Sequence, residues 1–244
     1  MNTAFDEMQY EMLYPDGIEN HYWFSSRNHI IAKVVKKYTV ENESIIEIGC
    51  GRGIVIKHLK ENGINCFGVE LASCKPCKGA ESFILTGMDA FVLNQEIRNE
   101  YSTLMLLDVI EHIEYPIQFI NTILDNYKNI KTIIFTVPAR QEIWSEHDVF
   151  NGHFRRYDLD MTNDLVDSIG FKIDENAYVY QSLYNITKLF SLFKIGRKTQ
   201  ILSPKGIGKI IHRFISQYLI FENLLFPKKQ KGSSIICIAS RPNN

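Results

Sequence analysis

No apolar run in this 244-residue chain approaches the ~18 residues that a membrane-spanning helix requires. A disulfide framework is equally ill provided for, because the five cysteines (Cys50, Cys66, Cys74, Cys77 and Cys237) are odd in number. Met1 to Glu19 is acidic and polar and lacks the apolar centre of a secretory signal. These absences point to a reduced, cytoplasmic setting. A structural zinc site takes four ligands, and Cys74-Lys75-Pro76-Cys77 has no second C-x-x-C or histidine pair to complete one. No metal is expected. Neither an internal repeat nor a low-complexity tract is present. Acidic residues are scarce in one region above all: residues 181–231 carry 10 Lys and Arg against Glu222 alone, whereas residues 1–180 carry 16 against 27. The formal net charge of −1 conceals that polarity.

What the chain does have is alternation. Strand-like apolar runs fall at 44–48, 65–69, 82–85, 102–107 and 131–137, with helical stretches at 54–61, 90–99 and 116–126 between them. A helix over 158–168, a strand over 171–180 and a last strand over 234–240 follow. Near-continuous apolar strands separated by helices specify an α/β fold, a parallel sheet covered on both faces. Residues 1–43 are expected to form an N-terminal helical cap. Residues 44–180 and 233–244 form the core, and 181–232 a basic helical insertion. Within 73–79, Pro76 and Gly79 argue against a regular helix after the second strand.

The sheet's first strand runs straight into the most informative stretch, Glu47-Ile48-Gly49-Cys50-Gly51-Arg52-Gly53. Glycines at every second position allow a turn in which backbone N–H groups approach a ligand. In open sheets the ligand lies beyond the carboxyl ends of the strands, beside the first one. An acid closes each of the first four strand units: Glu47, then Glu70, Asp89 and Asp108. Singly, Asp89 or Asp108 is as well explained as a helix N-cap. Jointly they line a crevice suited to a ligand with positive charge and hydroxyls. A dinucleotide fits less well, because Ile54 stands where G-x-G-x-x-G needs its third glycine.

These residues resemble the class I S-adenosylmethionine-dependent methyltransferases, and more narrowly their type 11/23 branch. The glycine turn matches that family's E/D-x-G-x-G-x-G. The segment His21-Tyr22-Trp23-Phe24-Ser25-Ser26-Arg27 matches an aromatic-Arg cap, and Asp108-Val109-Ile110-Glu111-His112 matches D-V-x-E-H. The block from Trp144-Ser145 through Asp148 to His153-Phe154-Arg155-Arg156-Tyr157 matches a further motif of the branch. The resemblance spans about residues 20–180 and the last strand. It implies a Rossmann-like, mostly parallel seven-stranded sheet with an antiparallel last strand. It also implies S-adenosylmethionine as cofactor, leaving S-adenosylhomocysteine as product. Glu70 would hold the ribose hydroxyls and Asp89 the adenine amino group, with Asp108, Val109 and His112 under the methionine part. Trp23, Arg27, Glu47, Gly49, Cys50, Gly51, Gly53, Leu71, Met88 and Ala90 would complete the cofactor site.

Methyl transfer to a hydroxyl needs a proton acceptor, and neutral imidazole is available near pH 7. His153 is the first candidate, with Asp148 five residues before it as orienting carboxylate and His147 as a second base. The other reading of His153 is a histidine pinning the Arg155-Arg156-Tyr157 turn. Arg155 and Arg156, with Tyr157, are candidates for holding an anionic group of the acceptor, or else for salt bridges to Asp148, Asp158 or Asp160.

The insertion contains two broadly apolar helical stretches, 183–194 and 210–221, joined by a loop with Pro204, Gly206 and Gly208. It is either a lid or dimer contact, or a surface for an anionic partner, a membrane first among them. Nucleic acid is the weaker candidate, because no reading motif organises the basic residues. These features point to O-methylation of a small molecule, sugar or lipid-linked glycan, with peripheral membrane contact through 181–232. The alternative is a non-catalytic scaffold of the same fold that docks on an anionic partner.

Overall fold

The computed structural model describes residues 10, 12–40, 43–193 and 201–242. Expectations for Met1 to Gln9 and for Lys194 lie outside the described residues. In chain order the elements are α1 (Tyr22–Tyr38), β1 (Ser44–Ile48), α2 (Ile54–Glu61), β2 (Cys66–Glu70), β3 (Ile84–Thr86), α3 (Gln95–Arg98) and β4 (Tyr101–Leu107). Then follow α4 (Pro116–Asn126), β5 (Thr132–Pro138), α5 (Glu146–Phe150), α6 (Leu159–Ser168), β6 (Lys172–Val179), α7 (Gln181–Leu192), α8 (Ile207–Leu225) and β7 (Ser234–Ser240).

The seven strands form one sheet in the order β3-β2-β1-β4-β5-β7-β6. Strands β1 to β5 pair in parallel, and β7 runs antiparallel between β5 and β6, with Ile134 opposite Ile238. This is the expected Rossmann-like mixed sheet. The alternation of side chains along each strand divides the core into two layers. Ile46, Leu104, Leu106 and Phe135 face Ile120 of α4 and Leu165 of α6. Their neighbours Ile45, Met105, Leu107 and Ile134 face Val35 of α1 and Leu59 of α2. Leu219 of α8 joins that second layer. The chain order reverses between β1 and β4, which opens a crevice at their carboxyl ends, where the glycine turn and Asp108 sit.

One expected helix is divided in two. A single helix was expected over 90–99. Instead Asp89 caps one 3-10 turn (Ala90–Val92), and Asn94 restarts the chain as α3, its side chain accepting from the Ile97 amide. Each of the two short polar residues offers the backbone a local partner and breaks the helix there. Residues 73–79 contain no helix, as Pro76 and Gly79 imply. Among the described residues of 181–232, α7 and α8 lie where helical stretches were expected over 183–194 and 210–221. Glu222, the single acid of the basic region, is buried and accepts the Ser182 amide at the start of α7. Helix α8 lies along α1, where Ser216 Oγ donates to Ser25 Oγ at 3.0 Å and the Tyr22 amide donates to His212 Nδ1 at 3.1 Å.

Candidate active site

The glycine turn holds three left-handed residues in five, with φ of 81° at Gly49, 53° at Gly51 and 78° at Gly53. A Cβ on Gly49 would lie 2.7 Å from Val109, and one on Gly53 would lie 2.9 Å from Ile84. Backbone conformation and space therefore both require glycine at those two positions. The turn presents the Gly51 amide to Glu70 Oε2 at 2.8 Å, while Glu70 Oε1 accepts from the Ala72 amide at 2.9 Å. A carboxylate has four acceptor sites, so Glu70 is positioned by the backbone and keeps capacity for hydroxyl donors. Glu47 is 2% exposed and its Oε2 has no hydrogen-bond partner. Burial pushes its carboxyl up to about 8, against the opposing charge of Arg27. Asp89 accepts from the Phe91 amide at 2.9 Å as a turn cap. Met88 and Ala90 flank it, with Leu71 between Glu70 and Ala72.

At the end of β4, Asp108 adopts a left-handed conformation (φ 57°). Thr136 Oγ1 donates to its Oδ1 at 3.0 Å, and Arg27 pairs with its Oδ2 at 2.6 Å. Arg27 also lies over the Trp23 ring, 5.3 Å from its centroid. The N-terminal helix is thereby fastened to the strand-four carboxylate through Arg27 of the aromatic-Arg segment. Across the crevice, the chain after β5 turns back so that the Phe154 amide donates to the Glu111 carbonyl at 2.8 Å. That contact sets the His153 ring against His112, 4.8 Å between centroids. His153 Nδ1 is 2.9 Å from Asp148 Oδ1, and Asp148 is fully buried. Burial alone would raise the Asp148 carboxyl, but the His153 hydrogen bond and the Arg156 charge hold it well below the usual carboxylate range. Burial and then His153 push the His112 imidazole down to about 4, with Asp108 opposing, so it is neutral at physiological pH.

A family model described as a methyltransferase domain matches residues 20–176, well over half of the chain. The chain belongs to that family. It is a class I methyltransferase of the type 11/23 branch. No curated protein matches the sequence. Among solved structures, a phosphoethanolamine N-methyltransferase from Haemonchus contortus is 15% identical, with a TM-score of 0.56 over 99% of this chain and 59% of its own. Magnesium protoporphyrin IX methyltransferase from Synechocystis PCC 6803 is 13% identical, with a TM-score of 0.53 over 96% of this chain and 93% of its own. The small RNA methyltransferase HEN1 is 13% identical, with a TM-score of 0.52; all of this chain is covered, but it spans only 27% of that protein. At such identities the likeness establishes the fold. The differing acceptors named for these proteins leave the acceptor to the chemistry of the site itself.

In the methyltransferase a cavity of about 790 Å³ is lined by Trp23, Asp108, Glu111, His112 and His153. Leu183, Ile186 and Phe190 of α7 and His212 of α8 also line it, so the insertion is part of the site. His147 lines it too and lies 3.0 Å from Asn151 Nδ2. Tyr157 does not reach the cavity: it is 2% exposed and its hydroxyl donates to the Ile110 carbonyl at 3.2 Å. Arg156 spends Nε on Asp148 at 2.8 Å and Nη1 on the Ala139 carbonyl at 3.0 Å. Arg156 thus makes the salt bridge to Asp148 that was its other expectation, and it also lines the cavity, whereas Tyr157 packs beneath it. Arg155 donates to the Glu114 carbonyl at 2.7 Å and lies over Phe154.

Sequence reasoning passed over three residues of the methyltransferase site. Tyr10 and Tyr14 stack 5.9 Å apart, and Tyr10 comes within 3.4 Å of where a Gly51 Cβ would stand. Burial and the nearby Glu70 push the Tyr10 hydroxyl far up. Arg52, given no role from the sequence, is buried. It donates to the Tyr14 carbonyl, to Asp16 at 2.7 Å and to the Lys75 carbonyl at 2.9 Å. The glycine turn thus anchors both the N-terminal segment and the irregular 73–79 loop. A buried-arginine role leaves no mark in a G-x-G-x-G pattern, so no sequence signal could have found it.

Proposed function

We propose that this methyltransferase transfers the methyl group of S-adenosylmethionine to a hydroxyl of a largely apolar, lipid-linked or small-molecule acceptor held in the cavity. The cofactor is S-adenosylmethionine. The residues present fit it: a glycine cradle that any Cβ would fill, the backbone-fixed Glu70 for hydroxyls, and a buried Glu47 oxygen with no partner. When bound, the cofactor supplies an electrophilic methyl on a sulfonium. This chain aligns the acceptor and excludes water, which carries much of the acceleration in an in-line displacement.

The observation that carries the reading is the cavity itself, which joins acidic Asp108 to His153 and to the apolar side chains of α7. His153 is placed at the acceptor's hydroxyl, oriented by Asp148, and promotes loss of its proton. Calorimetry with S-adenosylmethionine and S-adenosylhomocysteine tests the first half. Saturable 1:1 binding supports the reading, and failure of both to bind ends it. His153→Ala is expected to leave that affinity within about threefold and to slow turnover roughly 10²- to 10⁴-fold. Normal turnover in that variant removes His153 from the chemistry.

Helix α8 supports the choice of a lipid-linked acceptor. Ile207, Ile211, Phe214, Tyr218, Phe221 and Leu225 recur at helical spacing and are all exposed, Phe214 to 73%. Lys205, Lys209, Arg213, Lys228 and Lys229 are exposed around them. Among the described residues no helix is long and apolar enough to cross a membrane. An apolar stripe flanked by cations suits an anionic lipid surface, where each basic residue contributes about 1 kcal/mol. Flotation is expected to recover the protein with vesicles containing phosphatidylserine and not with phosphatidylcholine alone, and Phe214→Asp with Phe221→Asp abolishes the difference. Equal recovery with both vesicles, or a stable dimer that hides this stripe, rules the membrane surface out.

A further inference from the structure

We propose that Glu111, His112 and His153 bind one divalent transition-metal ion, and that this ion holds and acidifies the acceptor's hydroxyl. The proposal rests on the methyltransferase reading above and adds a site to it. The three side chains each bring one donor atom within 4.8 Å of the others. Ligands at about 2.1 Å from a common ion stand roughly 3 to 4 Å apart, so closure needs a contraction of about 1 Å, within reach of side-chain rotation.

The environment of each ligand is the second reason. Glu111 is 1% exposed, and its Oε2 has no hydrogen-bond partner, an arrangement that is costly for a buried carboxyl oxygen. Histidines that ligate metals characteristically donate their other ring N–H to a carboxylate or a backbone carbonyl, which fixes ring and tautomer. Both histidines here have that support. His153 Nδ1 is held by the buried Asp148, and the carbonyls of Asn151 and Gly152 accept from the His112 ring. Asp148 is fixed in turn by Arg156 and by the Ser145 amide. Asp108, the nearest other acid, is engaged by Arg27 and Thr136 and is left out of the ligand set.

Two imidazoles and one carboxylate select a first-row transition ion such as Mn²⁺, Fe²⁺, Co²⁺ or Zn²⁺ over Mg²⁺ or Ca²⁺, which favour all-oxygen sites. Three protein ligands leave positions for an acceptor oxygen, and all three residues line the cavity. A cation-bound hydroxyl loses its proton to water far more readily than a free one. The oxygen then forms its bond to the methyl carbon as the carbon–sulfur bond breaks. His153 accordingly assists as a ligand, with Asp148 behind it.

Sequence spacing does not reveal this set, because His153 stands 41 residues beyond His112 and no metal motif has that interval. The test uses the full-length protein, stripped with chelator and titrated with Co²⁺, reading visible d–d absorption and calorimetric heat. One Co²⁺ per chain is expected. His112→Ala, His153→Ala and the isosteric Glu111→Gln should each weaken binding at least tenfold, with circular dichroism confirming that they fold. His212→Ala, in the separate His21–His212 pair, should leave the titration unchanged. Absence of saturable binding, or binding that follows His212 and ignores Glu111, His112 and His153, overturns the proposal. S-adenosylhomocysteine binding measured on the same samples keeps the two readings apart. Cofactor bound without Co²⁺ sinks the cation site alone.

Discussion

Glu70→Ala is expected to weaken S-adenosylmethionine binding by roughly 10²- to 10⁴-fold. A hydrogen bond to a charged group contributes about 1.5–3 kcal/mol, and a ribose diol can give Glu70 two of them. At 1.4 kcal/mol per decade their loss spans that range. The variant also releases the Gly51 and Ala72 amides that Glu70 now accepts, so the cradle itself loosens at the point of closest ligand approach. Glu70→Gln separates the two contributions. Its amide oxygen can still accept one backbone N–H, but its NH₂ group meets the other donor head-on, so an intermediate loss is expected. Calorimetric titration beside a thermal melt reads binding and stability independently. Affinity within threefold of wild type in Glu70→Ala would take the ribose role away from Glu70.

Much of this architecture was legible because its signals are local. Alternating apolar runs and helices determine the layers, and the final strand was placed to the residue, Ser234 to Ser240. The glycine turn was readable since left-handed backbone and a missing Cβ can be supplied by one residue type only, as the Val109 and Ile84 approaches make concrete. Asp89 shows the limit of such reasoning, since the structure gives it the capping role that any Asp before a turn could have. The partnerships that build the site are long-range and leave no local pattern. Arg27 with Asp108 joins residues 81 apart, and Arg156 with Asp148 was one of several equal pairings open to two neighbouring arginines. Nor could spacing show that Tyr10 and Tyr14 lie over the turn, since the stretch holds no periodicity to place it. The insertion was recognisable by charge and hydropathy, whereas its contribution of Leu183, Ile186 and Phe190 to the cavity depends on where β6 ends.

Asp148→Ala is expected to produce the largest loss of stability of any single change at the site, about 3–5 kcal/mol. The carboxylate is fully buried and serves four donors. Oδ1 meets Arg156 Nε at 2.8 Å and His153 Nδ1 at 2.9 Å, and Oδ2 meets the Ser145 amide at 2.9 Å and its hydroxyl at 3.2 Å. Alanine leaves the Arg156 guanidinium, 8% exposed, without its counter-charge, which is the costly half of a broken buried pair. It also removes the capping box at the start of α5. A fall in Tm of roughly 10 °C should follow. The pH dependence carries a separate signature. In the unfolded chain this carboxyl titrates near the ordinary aspartate value of about 3.8, and in the folded chain well below it. Its contribution is therefore complete above about pH 4 and is lost as pH falls through the depressed folded value. Wild type and Asp148→Ala should accordingly differ most in stability above pH 5 and converge in acid. Melting curves that run parallel at every pH, or a Tm within 2 °C of wild type at pH 7, would show that Arg156 finds another partner and that His153 is held by something other than Asp148.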